Sequence, residues 1–99
     1  MTVRFLEVAQ QELDEGVEYY NGESTGLGDL FVVEVLSAID RICRYPNGWH
    51  PLSAQFRRCQ LRRFPYGLIY RVDDDGILIL AVAHLHRRPG YWRERLKQK

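Results

Sequence analysis

The spacing of apolar residues changes several times along the chain, and each change predicts an element. In "VRFLEV" (3–8), Val3, Phe5 and Val8 stand against Arg4 and Glu7, which predicts a first strand. Ala9, Leu13, Val17 and Tyr20 then recur at helical spacing, while Glu12, Asp14, Glu15 and Glu18 fall elsewhere on the wheel. This predicts an amphipathic helix with an acidic, solvated face. "NGESTGLG" (21–28) breaks it. From about Leu27 to Tyr45 a second helix is expected, with Leu27, Leu30, Phe31, Val35, Ala38, Ile39 and Ile42 as a broad apolar stripe. Pro46 and Asn47-Gly48 end it. The stripe is wider than a helix pair needs, so this helix should also lie on a sheet.

Three strands are expected next. "QFRRCQLRRF" (55–64) alternates imperfectly, with Cys59 and Leu61 opposite Arg58, Gln60 and Arg62. "PYGLIYRV" (65–72) leads into "DDDG" (73–76), a hairpin signal in which Asp-Gly suits a tight two-residue turn. "ILILAVA" (77–83) is apolar throughout, as in a central strand buried on both faces. "PGYWRERLKQK" reads as a docked last turn. The expected fold is α+β in the order β-α-α-β-β-β, with two N-terminal helices on one face of an antiparallel sheet and the other face partly open. Residues 1–99 are expected to form one domain with a modest core.

The last strand ends in "HLHRRPGYW", far more polar and aromatic material than a turn requires. If Cys59 and Leu61 face the helices, Arg58 and Arg62 face out with Gln60. The predicted result is an arginine-rich surface edged by His84, His86, Arg87, Tyr91 and Trp92.

Charge sharpens this picture. The formal net charge of +1 hides an asymmetry. Residues 1–54 carry three basic and nine acidic side chains, a net of −6; residues 55–99 carry eleven basic and four acidic ones, a net of +7. Nine of those eleven are arginine, whose planar fork suits phosphate and carboxylate. A polyanionic target or an acidic partner fits this; the alternative is two halves that neutralise each other within the fold. No stretch approaches the roughly 20 apolar residues of a membrane span, and no signal-peptide pattern is read at the N-terminus, so a cytoplasmic protein is expected. Cys43 and Cys59 are expected to be reduced and packed. Asp73–Asp75 are explained by the hairpin tip and His50 by a loop. His84 and His86 have no carboxylate nearby in sequence, so no metal or other cofactor is expected.

Taken in order, "AQQELDEGVEYYNGES", "LGDLFVVEVLSAIDRICRYPNGW", "FPYGLIYRV", "ILILAVAH" and "RRPGYW" resemble the RelE/ParE toxins of type II toxin–antitoxin systems, in particular the ParE-like branch. The resemblance covers nearly the whole chain. It implies two helices on an antiparallel sheet, a cognate antitoxin that silences the toxin, and one of two activities. ParE-like members block DNA gyrase. RelE-like members cut messenger RNA on the ribosome without a metal, using basic residues of the sheet with an arginine and a tyrosine near the C-terminus. Against the RelE pattern, Arg58 and Arg62 fall on basic positions and Tyr91 on the tyrosine. Gln60 replaces a basic residue, Gly67 an arginine, and Leu85 the late arginine, with Arg87 two residues on.

Metal-free RNA cleavage needs a base, an acid and cations at the phosphorus. On the nuclease reading, His84, Arg87 and Tyr91 are the catalytic candidates. On the gyrase reading, Arg58, Arg62, Arg63, Arg87, Arg88 and Trp92 form a target-binding or nucleic-acid-binding surface without chemistry. Trp92 and Tyr91 have a plainer role open to them as aromatics that pin the tail. A ParE-like gyrase poison is the reading placed first. A ribosome-dependent endoribonuclease is the second, and a non-toxic antitoxin-binding module the third.

Overall fold

A computed structural model describes residues 1–96; positions 97–99 of the predicted tail lie outside the described residues. Strand β1 (Thr2–Phe5) leads into helices α1 (Glu7–Glu23) and α2 (Leu27–Arg44). Then come β2 (His50–Pro51), β3 (Phe56–Gln60), β4 (Tyr66–Asp73) and β5 (Gly76–His84), and a 3-10 turn at Arg93–Leu96. The spatial order of the strands is β1-β5-β4-β3-β2.

The expected helix pair on a sheet is present, with two differences in the sheet. It is mixed: β1 runs parallel to β5, pairing Thr2 with Gly76 through Phe5 with Ile79. His50 is not a loop residue; it sits in the two-residue strand β2, paired with Arg58. α1 also continues past Asn21-Gly22 to Glu23 before the break. The hairpin between β4 and β5 places Asp73 opposite Gly76. Neither turn aspartate has positive φ; Gly76 does, at 149°. A Cβ there would lie 1.9 Å from the Thr2 carbonyl oxygen, so glycine is what lets β1 approach the hairpin.

Alternation sorts the strands into two faces. Cys59, Leu68, Tyr70, Ile77, Ile79 and Val82 face the helices and pack with Ala9, Phe31, Val35, Ala38 and Ile42. Each large aliphatic side chain buried there is worth about 1.5–3 kcal/mol. Tyr20, Phe31, Phe64 and Tyr66 close one end of this core with ring centroids 4.8–6.1 Å apart. Leu30 was expected in the same stripe but is 45% exposed, because it lies on the side of α2 away from Phe31 and Val35.

The second face is less open than expected. Ile69, Leu78, Leu80, Ala81 and Ala83 are covered by Trp92, with Leu6, Leu52, Phe56, Tyr91 and Leu96 around them. A bulge in the β4–β5 register between Ile69 and Tyr70 turns both Leu80 and Ala81 to this face. So β5 is buried on both faces, by helices on one and by the chain's own tail on the other. Cys59 is buried and Cys43 partly so, and both are free thiols.

Two tests follow from the packing. A Cβ on Gly28 would lie 2.4 Å from the Val17 carbonyl oxygen, where the helices touch. Gly28→Ala should lower stability by about 1–3 kcal/mol in urea unfolding. Tyr70, whose hydroxyl donates to the Pro46 carbonyl, is pushed up to about 12 by burial. A raised phenol pKa contributes stability that is complete below the unfolded value near 10 and is lost as pH climbs toward 12. Alkaline unfolding should therefore set in above pH 10, and Tyr70→Phe should flatten that limb of the stability–pH curve.

Candidate functional site

The sheet ends in a rim made by the segment after β5. Leu85 N–H donates to the Pro65 carbonyl and Arg87 N–H to the His84 carbonyl, so the chain turns sharply at the strand's end. Gly90, at φ 76°, turns it again and sends Tyr91 and Trp92 back over the second face. Trp92 is 3% exposed, with its ring 5.1 Å from Phe56. The expectation that it contacts a target is corrected: it pins the tail, for the ordinary reason that a large aromatic gains most from burial.

Tyr91 is held differently. Its hydroxyl donates to Glu12 Oε2 at 2.8 Å. Arg95 forms two hydrogen bonds to the same carboxylate, at 2.7 and 2.9 Å, and a third to the Leu80 carbonyl at 2.8 Å. Glu12 Oε1 also accepts the Val82 N–H at 2.9 Å. β1 stops at Phe5, so the far half of β5 has no strand on that side. Glu12 and Arg95 supply the acceptor and donor that a neighbouring strand would have supplied. Burial first, and then the hydrogen bond to Glu12, push the Tyr91 phenol well above the ordinary tyrosine range.

The rim does not bring all the predicted residues together. His84 shares the helix-side face with Tyr66, ring centroids 5.1 Å apart, and lines a hollow of about 270 Å³ with Glu15, Tyr19 and Arg87. Its Nδ1 accepts the His86 N–H at 3.1 Å, which leaves the neutral ring's proton on Nε2. Arg58 lies on the opposite face. Its stem passes over Gly67, where a Cβ would come within 2.9 Å of Arg58 Cγ. Here it lines a cleft of about 170 Å³ with Leu52, Ile69, Arg88, Trp92 and Arg93. His84 and Arg87 border both hollows, so His84 shares the cleft with Arg58; the Arg87 guanidinium is 3.9 Å from the Tyr91 ring centroid.

Arg62 does not share a side with Arg58, which corrects the reading of 55–64 as one strand. β3 ends at Gln60, and the chain then belongs to α2. Arg41 donates to the Gln60 carbonyl at 3.0 Å, and Glu34 accepts the Arg62 N–H at 3.3 Å. The Arg62 side chain lies beside Ser37, Arg41 and Tyr45. Arg63 pairs with Glu34 at 3.6 Å. The ion pairs among the described residues use Arg4, Arg44, Arg63, Arg71 and Arg95; none uses Arg58, Arg62, Arg87, Arg88 or Arg93. Sequence reasoning missed Arg93, Glu12 and Arg95. Arg93 was legible as one more arginine beside the aromatics. Glu12 and Arg95 meet 83 residues apart, and nothing in the spacing signals it.

Among the described residues no cluster of side chains could hold a metal ion, and no helix is long and apolar enough to cross a membrane.

Two helices pack on a five-stranded mixed sheet, with a basic rim at one end. The fold matches a solved structure described as the chromosomal ParDE toxin–antitoxin system from P. aeruginosa, with a TM-score of 0.74 over 85% of this chain and 95% of that one at 19% identity. Two curated relatives, each named Toxin ParE2, from Mycobacterium tuberculosis strains CDC 1551 / Oshkosh and ATCC 25618 / H37Rv, are 35% identical over 81 residues. That span covers 81% of this chain and 77% of theirs. The family model for the ParE toxin of the parDE type II toxin–antitoxin system matches residues 3–89. The chain belongs to the ParE toxin family.

The tail clamp is open to direct test. Glu12→Ala strips Arg95 of its partner at a site where both side chains are under 15% exposed. It should cost about 3 kcal/mol in urea unfolding. Arg95→Lys, which keeps the charge and loses the fork, should cost less.

Proposed function

We propose that this toxin arrests growth by binding DNA gyrase through the basic rim, in the cytoplasm, and that its cognate antitoxin silences it by covering the same rim. One observation carries the reading over the nuclease alternative: two of the groups RNA cleavage would need are taken up elsewhere. His84 borders the cleft that Arg58 lines, but Arg62 lies against α2 and the Tyr91 proton is committed to Glu12. A tyrosine held neutral and hydrogen-bonded to a carboxylate is a poor general acid. What the rim offers is positive charge without carboxylate partners, carried on arginines suited to a large acidic or phosphate-bearing surface. Contacts of that kind weaken as salt rises.

The test is a pulse-label time course after inducing the chain in a bacterial host. DNA synthesis should stop before protein synthesis, with a DNA-damage response. Protein synthesis stopping first would sink the gyrase reading. Reversing Arg87 and Arg88 to Glu should abolish toxicity while thermal unfolding moves by only a few degrees, because both side chains are exposed. His84→Ala should leave most toxicity in place.

A further inference from the structure

The cleft beneath the rim is too small for a nucleotide and too basic for an apolar plug. Its volume is about 170 Å³, below the roughly 300–1,000 Å³ of pockets that enclose whole small molecules. Leu52, Ile69 and Ala83 give it an apolar wall beside the Trp92 indole. Arg58, Arg87, Arg88 and Arg93 surround it, and no carboxylate lines it. Arg58 is half-buried, lies across Gly67, and enters no ion pair among the described residues. A guanidinium partly withdrawn from water without a counter-charge favours an incoming anion, because that anion recovers what solvation gave up.

We infer that this cleft receives one acidic side chain, a glutamate, from an extended peptide partner. The carboxylate lies among Arg58, Arg88 and Arg93, and the methylenes lie against Leu52, Ile69 and Ala83. The apolar wall favours a glutamate over a backbone phosphate, which brings a sugar on each side and no methylene stem to bury. Arg87 stacks on Tyr91 at the mouth and can follow a second charge on the same peptide. This rests on the reading above that a protein antitoxin covers the rim, and names the chemistry by which it does so. It does not depend on gyrase being the target.

The experiment uses the whole chain and the blocked peptide acetyl-Ala-Leu-Glu-Leu-Ala-amide. Binding is followed by NMR on the Trp92 indole N–H and the Arg58 Nε–H. The glutamate peptide should shift both resonances saturably. Its glutamine counterpart should bind at least tenfold more weakly, and the shifts should fade as salt rises. Arg58→Met keeps the stem over Gly67 and should reduce affinity at least tenfold without moving the melting temperature. Arg88→Gln, at an exposed position, provides the second variant should Arg58→Met fold poorly. Equal binding of the two peptides, or no saturable shift, overturns the proposal. So does tighter binding of a single-stranded oligonucleotide at the same resonances. Because the readout is peptide binding, it stays interpretable if DNA synthesis turns out not to be the process arrested.

Discussion

The carboxylate of Glu12 holds three parts of the molecule together. It accepts a backbone N–H from β5, a hydroxyl from Tyr91 and two N–H groups from Arg95. It thereby ties α1 to the exposed edge of the central strand and to the tail. Without it, Leu80 C=O and Val82 N–H would face the side from which β1 has already turned away. An uncovered strand edge is a template for unwanted pairing. The same contact determines where the rim sits. Tyr91 is fixed by Glu12, Arg87 stacks on Tyr91, and Trp92 is carried down onto Ile69 and Leu80 by the same turn of chain. A charged group on the acidic helix, remote in sequence from the arginines, positions the surface they form.

Most of the fold was legible because its strongest signals are local. The helical period of 9–20 and 27–42, the all-apolar run of 77–83, and the Asp-Gly hairpin each report on neighbours in the chain. What could not be read depends on pairings between distant segments. Whether β1 lies parallel or antiparallel to β5 is decided by where α1 takes the chain, and nothing in "VRFLEV" specifies it. β2 is two residues long and exists because β3 is there to pair with it. Leu30 matches the helical stripe in sequence and still lies outside the core, since a period of 3.6 residues locates a face only to within a neighbouring position.

The candidate site was legible in composition and only partly in arrangement. The residues of "HLHRRPGYW" do form a rim, yet period-2 alternation divides them. His84 goes to the helix side with Tyr66, and Ala83 goes to the side of Arg58. The extrapolation from Arg58 through Gln60 to Arg62 failed because a strand's alternation holds only while its ladder lasts. Arg41 and Glu34 take the backbone groups of Gln60 and Arg62 and end that ladder. Tyr91 is a residue whose type suggests chemistry and whose hydroxyl the fold places on a carboxylate. Its hydroxyl is a structural donor.

The opposite charges of the two halves can now be divided by what each arginine meets. Glu12 with Arg95 and Glu34 with Arg63 are pairs across the halves, so part of the asymmetry is neutralised within the fold. Arg4 and Arg71 converge on Asp73 at the hairpin, and the hydrogen bond from Arg71, with the positive charge of both, holds that carboxyl below the usual carboxylate range. These pairs lie along the helices and at the hairpin. Of the seven arginines that enter no ion pair among the described residues, four, Arg58, Arg87, Arg88 and Arg93, border one cleft. Crowding like charges costs folding free energy, and a chain gains nothing in stability from it. The acidic side chains of α1 could have been spent there and were not; one of them, Glu12, instead anchors the tail that holds the arginines in place. Charge that the fold could neutralise and leaves concentrated is best understood as reserved for a partner that brings the opposite charge with it.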